Sequence, residues 1–76
     1  MTKKSIRTIL GENVKHYRLL NKFTQEKLAE LCNLSTRYIS DIENANGNIS
    51  IDTLEKIANI FEIEYYVLIK ENTFNK

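Results

Sequence analysis

Residues 36–41, TRYISD, crowd Thr36, Arg37, Tyr38, Ser40 and Asp41 into fewer than two helical turns. Hydroxyls, a guanidinium and a carboxylate in such a cluster hydrogen-bond to base edges and phosphates rather than break bonds. A short helix presenting Arg, Thr, Tyr and Ser from its first turns has the shape that enters a DNA major groove. Bond-breaking chemistry has no comparable cluster. The chain holds one histidine (His16), one cysteine (Cys32), no glycine-rich phosphate loop and no metal-spaced group. Its carboxylates scatter along helix surfaces. The expectation is a sequence-specific DNA-binding protein that is not an enzyme and has no metal, cofactor or small-molecule ligand.

Two helices joined by a tight turn are needed to present that cluster. In residues 24–43, Leu28 and Cys32 stand four apart on one helix face, and Ile39 and Ile42 stand three apart on another. Thr24 and Ser35 are N-caps, and the capping box at Thr24 is incomplete because Lys27 stands at its third position. Ala29 is small where two helices must cross closely. Asn33 sits where the chain turns left-handed, a conformation asparagine tolerates. The pattern is a helix-turn-helix.

The remaining pattern places three further helices around that pair. Ile6, Leu10, Val14 and Tyr17 predict a first helix from about Ser5 to Leu20, in which Gly11 costs about 1 kcal/mol relative to alanine. Leu19 to Phe23 forms its exit, and residues 45–49 read as a loop from their Asn and Gly content. Ser50 caps a fourth helix with Leu54, Ile57, Ala58 and Phe61 as its apolar stripe. A last helix runs from about Tyr65 to Lys70, and the polar tail 71–76 is expected to fray. The fold class is all-α, one compact five-helix domain over 1–76 with its core in about 5–70.

Composition agrees with that picture. At 76 residues, 42% hydrophobic and 28% charged, the chain suits one small globular unit. No run approaches the roughly 18 apolar residues of a membrane span, and Arg7 interrupts the N-terminal apolar patch, so neither membrane nor signal peptide is expected. The lone Cys32 reads as a buried hydrophobe in a reducing compartment, the bacterial cytoplasm, with the nucleoid reached through DNA binding. Net charge is only +1, but it is unevenly divided. Residues 1–40 hold eight Lys and Arg against three acids, a net +5; residues 41–76 hold three lysines against seven acids, a net −4. That asymmetry suggests one face turned toward phosphate, against the alternative of a chance distribution.

From about Ile6 to Ile69 the chain resembles the Cro/C1-type (XRE-like) helix-turn-helix family, the lambda-repressor-like fold. The resemblance is carried by the TQEKLA opening, the turn at Asn33-Leu34-Ser35, the YISDIE close, the Asn/Gly loop and the SIDTLEKIANIFEI block. Within the family it is most similar to the controller proteins of restriction–modification systems, with phage and mobile-element repressors sharing the pattern. By that resemblance Thr36 and Arg37 read bases, Arg37 pairing bidentately with guanine for about 1–3 kcal/mol of discrimination. Gln25, Tyr38, Ser40, Asn44, Asn46 and Asn48 meet the DNA backbone. Arg18 and Glu43 form an ion pair between the first and third helices. Glu26 and Glu30, one turn apart, match an acidic patch that contacts RNA polymerase, against the alternative of a solvated helix face. The role of Asp41 stays open.

The C-terminal segment points to a partner. Ile60, Phe61, Ile63, Tyr65, Tyr66, Val67, Leu68 and Ile69 exceed what one short helix can bury against so small a core. The surplus suggests a homodimer interface, the competing reading being a helix that only caps the monomer. A two-fold dimer would set recognition helices about 34 Å apart on a pseudo-palindromic operator. The expected function is a regulator of its own and a neighbouring gene. The alternatives are a phage-type repressor or a small antitoxin or adapter whose main partner is a protein.

Overall fold

The computed structural model describes residues 4–72 and 74, and its five helices are α1 (Ile6–Leu20), α2 (Gln25–Cys32), α3 (Thr36–Glu43), α4 (Ile51–Phe61) and α5 (Tyr65–Ile69). The protein is all-α. Four helix starts use one device: Ser5, Thr24, Ser35 and Ser50 lie in extended backbone, and each side-chain oxygen accepts the N–H three residues on. An orphan donor is satisfied at each start, which fixes the entry of α1 through α4. The ends are less uniform. Asn33 closes α2 at φ 57°, as its residue type predicts, but Glu62 closes α4 at φ 58°. Lys22 and Ala45 also adopt the left-handed region, where a side chain other than Gly or Asn carries strain.

The core is a single cluster to which every helix contributes: Leu10 and Val14 from α1, Leu28, Ala29 and Cys32 from α2, Ile39 and Ile42 from α3, Ile57, Ala58 and Phe61 from α4, and Leu68 from α5. Burial of Cys32 pushes its thiol pKa up, Lys56 opposing the shift only partly, so the sulfur stays a protonated hydrophobe. Gly11 marks the closest crossing. A Cβ there would lie 2.6 Å from the Ile42 carbonyl oxygen and 3.0 Å from that of Glu43, so only glycine lets α1 meet the end of α3.

Two expectations for the C-terminal region need correction. Phe61 and Leu68, assigned from sequence to a dimer interface, belong to the monomer core, Leu68 with no exposure at all. A five-residue helix carries too little periodicity to reveal its inward face, and Leu68 is that face. The tail does not simply fray: Asn72 Nδ2 donates to Asn13 Oδ1 at 3.1 Å, and Phe74 stacks on His16 at 3.7 Å. Positions 73, 75 and 76 lie outside the described residues, as do 1–3.

Asn13 was not singled out from sequence, yet it holds α5 in place. It is almost fully buried, and its amide donates to the carbonyls of Val67, Leu68 and Lys70 at 3.2, 2.8 and 2.9 Å. No side-chain cap closes the start of α5, and at its other end a residue of α1 satisfies the carbonyls. The signal was available: Asn13 falls within the Leu10–Val14–Tyr17 stripe, where a polar residue must find partners.

Candidate nucleic-acid interface

The inward side of α3 is anchored through its last residue. The Glu43 carboxylate accepts Arg18 Nε at 2.7 Å and Arg18 Nη2 at 3.1 Å, a bidentate pair linking α1 to α3. Gln25 Nε2, at the first position of α2, donates to the same carboxylate at 3.1 Å. Arg18 Nη1 also holds the Phe23 carbonyl at 2.9 Å, which closes the α1–α2 turn. Three elements thus converge on one acid, and the ion-pair side chains are only 10% and 4% exposed. Gln25 keeps a second amide hydrogen beyond its contact with Glu43.

The outward side of α3 is held differently. Thr36 is exposed, and the Arg37 side chain is 89% exposed, its Nε 3.7 Å from Asp41 Oδ1 one turn on. Tyr38, half-buried, donates its hydroxyl to the Asn48 carbonyl at 2.7 Å. Ser40 is half-buried, and Asn44 turns its amide back onto the Ser40 carbonyl at 2.9 Å. Asn46 and Asn48 are exposed in the α3–α4 loop.

That loop has an attachment sequence reading missed. Arg7 Nε donates to the Gly47 carbonyl at 3.3 Å, and Arg7 Nη2 bonds Asn48 Oδ1. Gly47 packs against Ile42, where a Cβ would sit 3.2 Å from the isoleucine side chain. Arg7 lies 41 residues from Asn48, so nothing local in sequence announces the contact. The loop is therefore tied to α1 and α3 on either side of its asparagines.

Other predicted residues separate from this surface. Glu26 and Glu30 are exposed on α2, with Lys27 Nζ 3.5 Å from Glu30. Of the apolar C-terminal set, Tyr65 and Tyr66 are 57% and 51% exposed, while Ile60, Ile63, Val67 and Ile69 are half-buried. Ile51, absent from that set, is 83% exposed and lines a hollow of about 140 Å³ with Leu54, Glu55 and Tyr65. Its place at the first position of α4, at the edge of the apolar stripe, concealed it. Among the described residues no group of His, Cys, Asp or Glu is arranged to hold a metal ion, and no helix is long and apolar enough to cross a membrane.

A capped third helix braced against the first two, with its polar face exposed, defines a helix-turn-helix DNA-binding domain. The helix-turn-helix family model matches residues 14–68, and the chain belongs to that family, in its Cro/C1 (XRE-like) branch of DNA-binding regulators rather than enzymes. Among relatives, it is 41% identical over 61 residues to Control protein C.BamHI of Bacillus amyloliquefaciens, covering 79% of this chain and 75% of that protein. It is 39% identical to the immunity repressor of Bacillus phage phi105, over 88% of this chain but 46% of the repressor. The crystal structure of a hypothetical transcription factor, NHTF, from Neisseria superposes with a TM-score of 0.85 at 30% identity, over 88% of this chain and 77% of that one.

Proposed function

We propose that the protein binds a pseudo-palindromic operator as a homodimer and controls its own gene and a neighbouring one, as a restriction–modification controller. The observation that carries the DNA part is the contrast across α3: a buried three-way brace on Glu43 behind, and Thr36 with Arg37 exposed in front. Arg37 and Thr36 read bases, and Arg37 implies a guanine in each half-site. Gln25, Tyr38, Ser40, Asn46 and Asn48 follow the phosphates, with Asn44 completing α3. The controller assignment rests on the similarity to C.BamHI. Similarity to a phage immunity repressor favours a second reading, an operator of a mobile element.

The dimer surface is Tyr65, Tyr66 and Ile51, with Ile63 and Ile69 on the same C-terminal segment; Ile60, half-way round α4 from Ile51, lines a separate hollow with Leu31 and Cys32. Exposed Ile51 and Tyr65 line one hollow, and Tyr66 stands beside Tyr65 with ring centroids 6.0 Å apart. Such a patch needs an apolar cover, which a second copy supplies symmetrically. Ile51→Glu with Tyr66→Glu is expected to halve the mass in light scattering while the helical signal persists; an unchanged mass removes this face from the interface. Glu26 and Glu30 are the residues for a polymerase contact. Their reversal to lysine leaves operator binding intact and lowers transcription where the protein activates.

A gel-shift titration on DNA upstream of the protein's own gene, against a scrambled duplex of equal length near physiological salt, tests the central reading. Binding at least about a thousandfold tighter to the upstream DNA is expected. Equal, weak, salt-sensitive binding to both would favour an operator elsewhere or a protein partner.

A further inference from the structure

We propose that Asp41 is a positioning residue for Arg37, holding its guanidinium by the Nε edge so that Nη1 and Nη2 face outward for a guanine. The inference deepens the reading of Arg37 as a base contact and rests on it. The pair is unequal: Arg37 is 89% exposed and Asp41 39%, so the acid is the fixed partner and the arginine the mobile one. Asp41 is further anchored by its backbone, whose carbonyl accepts Asn46 N–H at 2.8 Å. Among the described residues, Asp41 is the charge partner of the Arg37 side chain.

Helix stability does not account for the pair. Arg37 lies in the first turn of α3 and Asp41 in its second half, so each charge sits at the end where the helix dipole opposes it. Nor does phosphate affinity, since a carboxylate beside the groove repels the backbone. An acid there is explicable by what it does to its neighbour. An arginine with four rotatable bonds samples many orientations, and an attraction at Nε narrows them toward end-on reading. Asp41 thereby trades general affinity for discrimination.

The two effects have opposite signs, which makes the proposal testable. The probes are a duplex selected by the wild-type protein from a randomised library and a scrambled duplex of the same length. Asp41→Ala is expected to tighten scramble binding about threefold by removing the repulsion. It is expected to lower the selected-to-scrambled ratio about fivefold, part of the roughly 5- to 150-fold a bidentate arginine–guanine pair supplies. Asp41→Asn, which keeps an acceptor without charge, recovers some of that ratio. In an Arg37→Ala background, Asp41→Ala leaves the ratio where it was. A ratio unchanged by Asp41→Ala while Arg37→Ala lowers it overturns the positioning role alone. An equal fall with and without Arg37 overturns it too, making Asp41 a direct reader. No effect of Arg37→Ala removes the base-contact reading itself, and the positioning role with it.

Discussion

Two arginine–carboxylate pairs sit on opposite sides of α3, and they share chemistry but not consequence. Arg18–Glu43 closes at 2.7 Å with side chains 10% and 4% exposed; Arg37–Asp41 stands at 3.7 Å, 89% and 39% exposed. In the buried pair, water cannot replace a lost partner, so each charge depends on the other. In the exposed pair, water competes throughout, and such pairs contribute about 0–1 kcal/mol to stability. The first pair orients α3; the second leaves its arginine exposed. Environment, not residue type, assigns the roles.

Substitutions at these sites break or sharpen the contrast. Glu43→Ala strands the Arg18 guanidinium and frees Gln25, and is expected to cost about 3–5 kcal/mol in urea unfolding; a loss under 1 kcal/mol would place the brace with ordinary surface pairs. Asn13→Ala leaves the Leu68 carbonyl buried and unpaired, and an expected loss of about 1–3 kcal/mol would show in the same measurement. Gly11→Ala gains about 1 kcal/mol of helix propensity. It also drives a methyl against the Ile42 carbonyl, and a net loss of about 1–2 kcal/mol is expected from melting curves. A more stable Gly11→Ala protein would mean that α1 and α3 separate easily. Arg37→Ala should change stability by no more than about 0.5 kcal/mol while sharply reducing operator preference in gel shifts. If instead it unfolds the protein, the two pairs are not distinct.

Legibility in the sequence followed the range of the interaction. The caps at Thr24, Ser35 and Ser50 and the turn at Asn33 were readable because each needs only its neighbours three or four positions away. The Arg18–Glu43 pair spans 25 residues and was accessible only through family resemblance. Arg7 reaching Gly47 and Asn48 has no such local signature, and neither do the left-handed turns at Lys22, Ala45 and Glu62, which lack the glycine or asparagine that marks such turns. Phe61 and Leu68 misled because apolar surplus reveals how much surface needs covering but not which residues the chain covers itself.

Asn13 also imposes an order of events. Its carbonyl partners lie 54 to 57 residues further along the chain, so the contact that seats α5 can form only once both α1 and the C-terminal segment are free to meet. A helix of five residues does not persist alone in water. The tyrosine-bearing surface it presents is therefore absent from nascent and partly folded chains, and an isolated α5 peptide should not compete for it. If that surface pairs two copies as proposed, self-association reports on finished molecules only, and it waits on the long-range contact that seats α5.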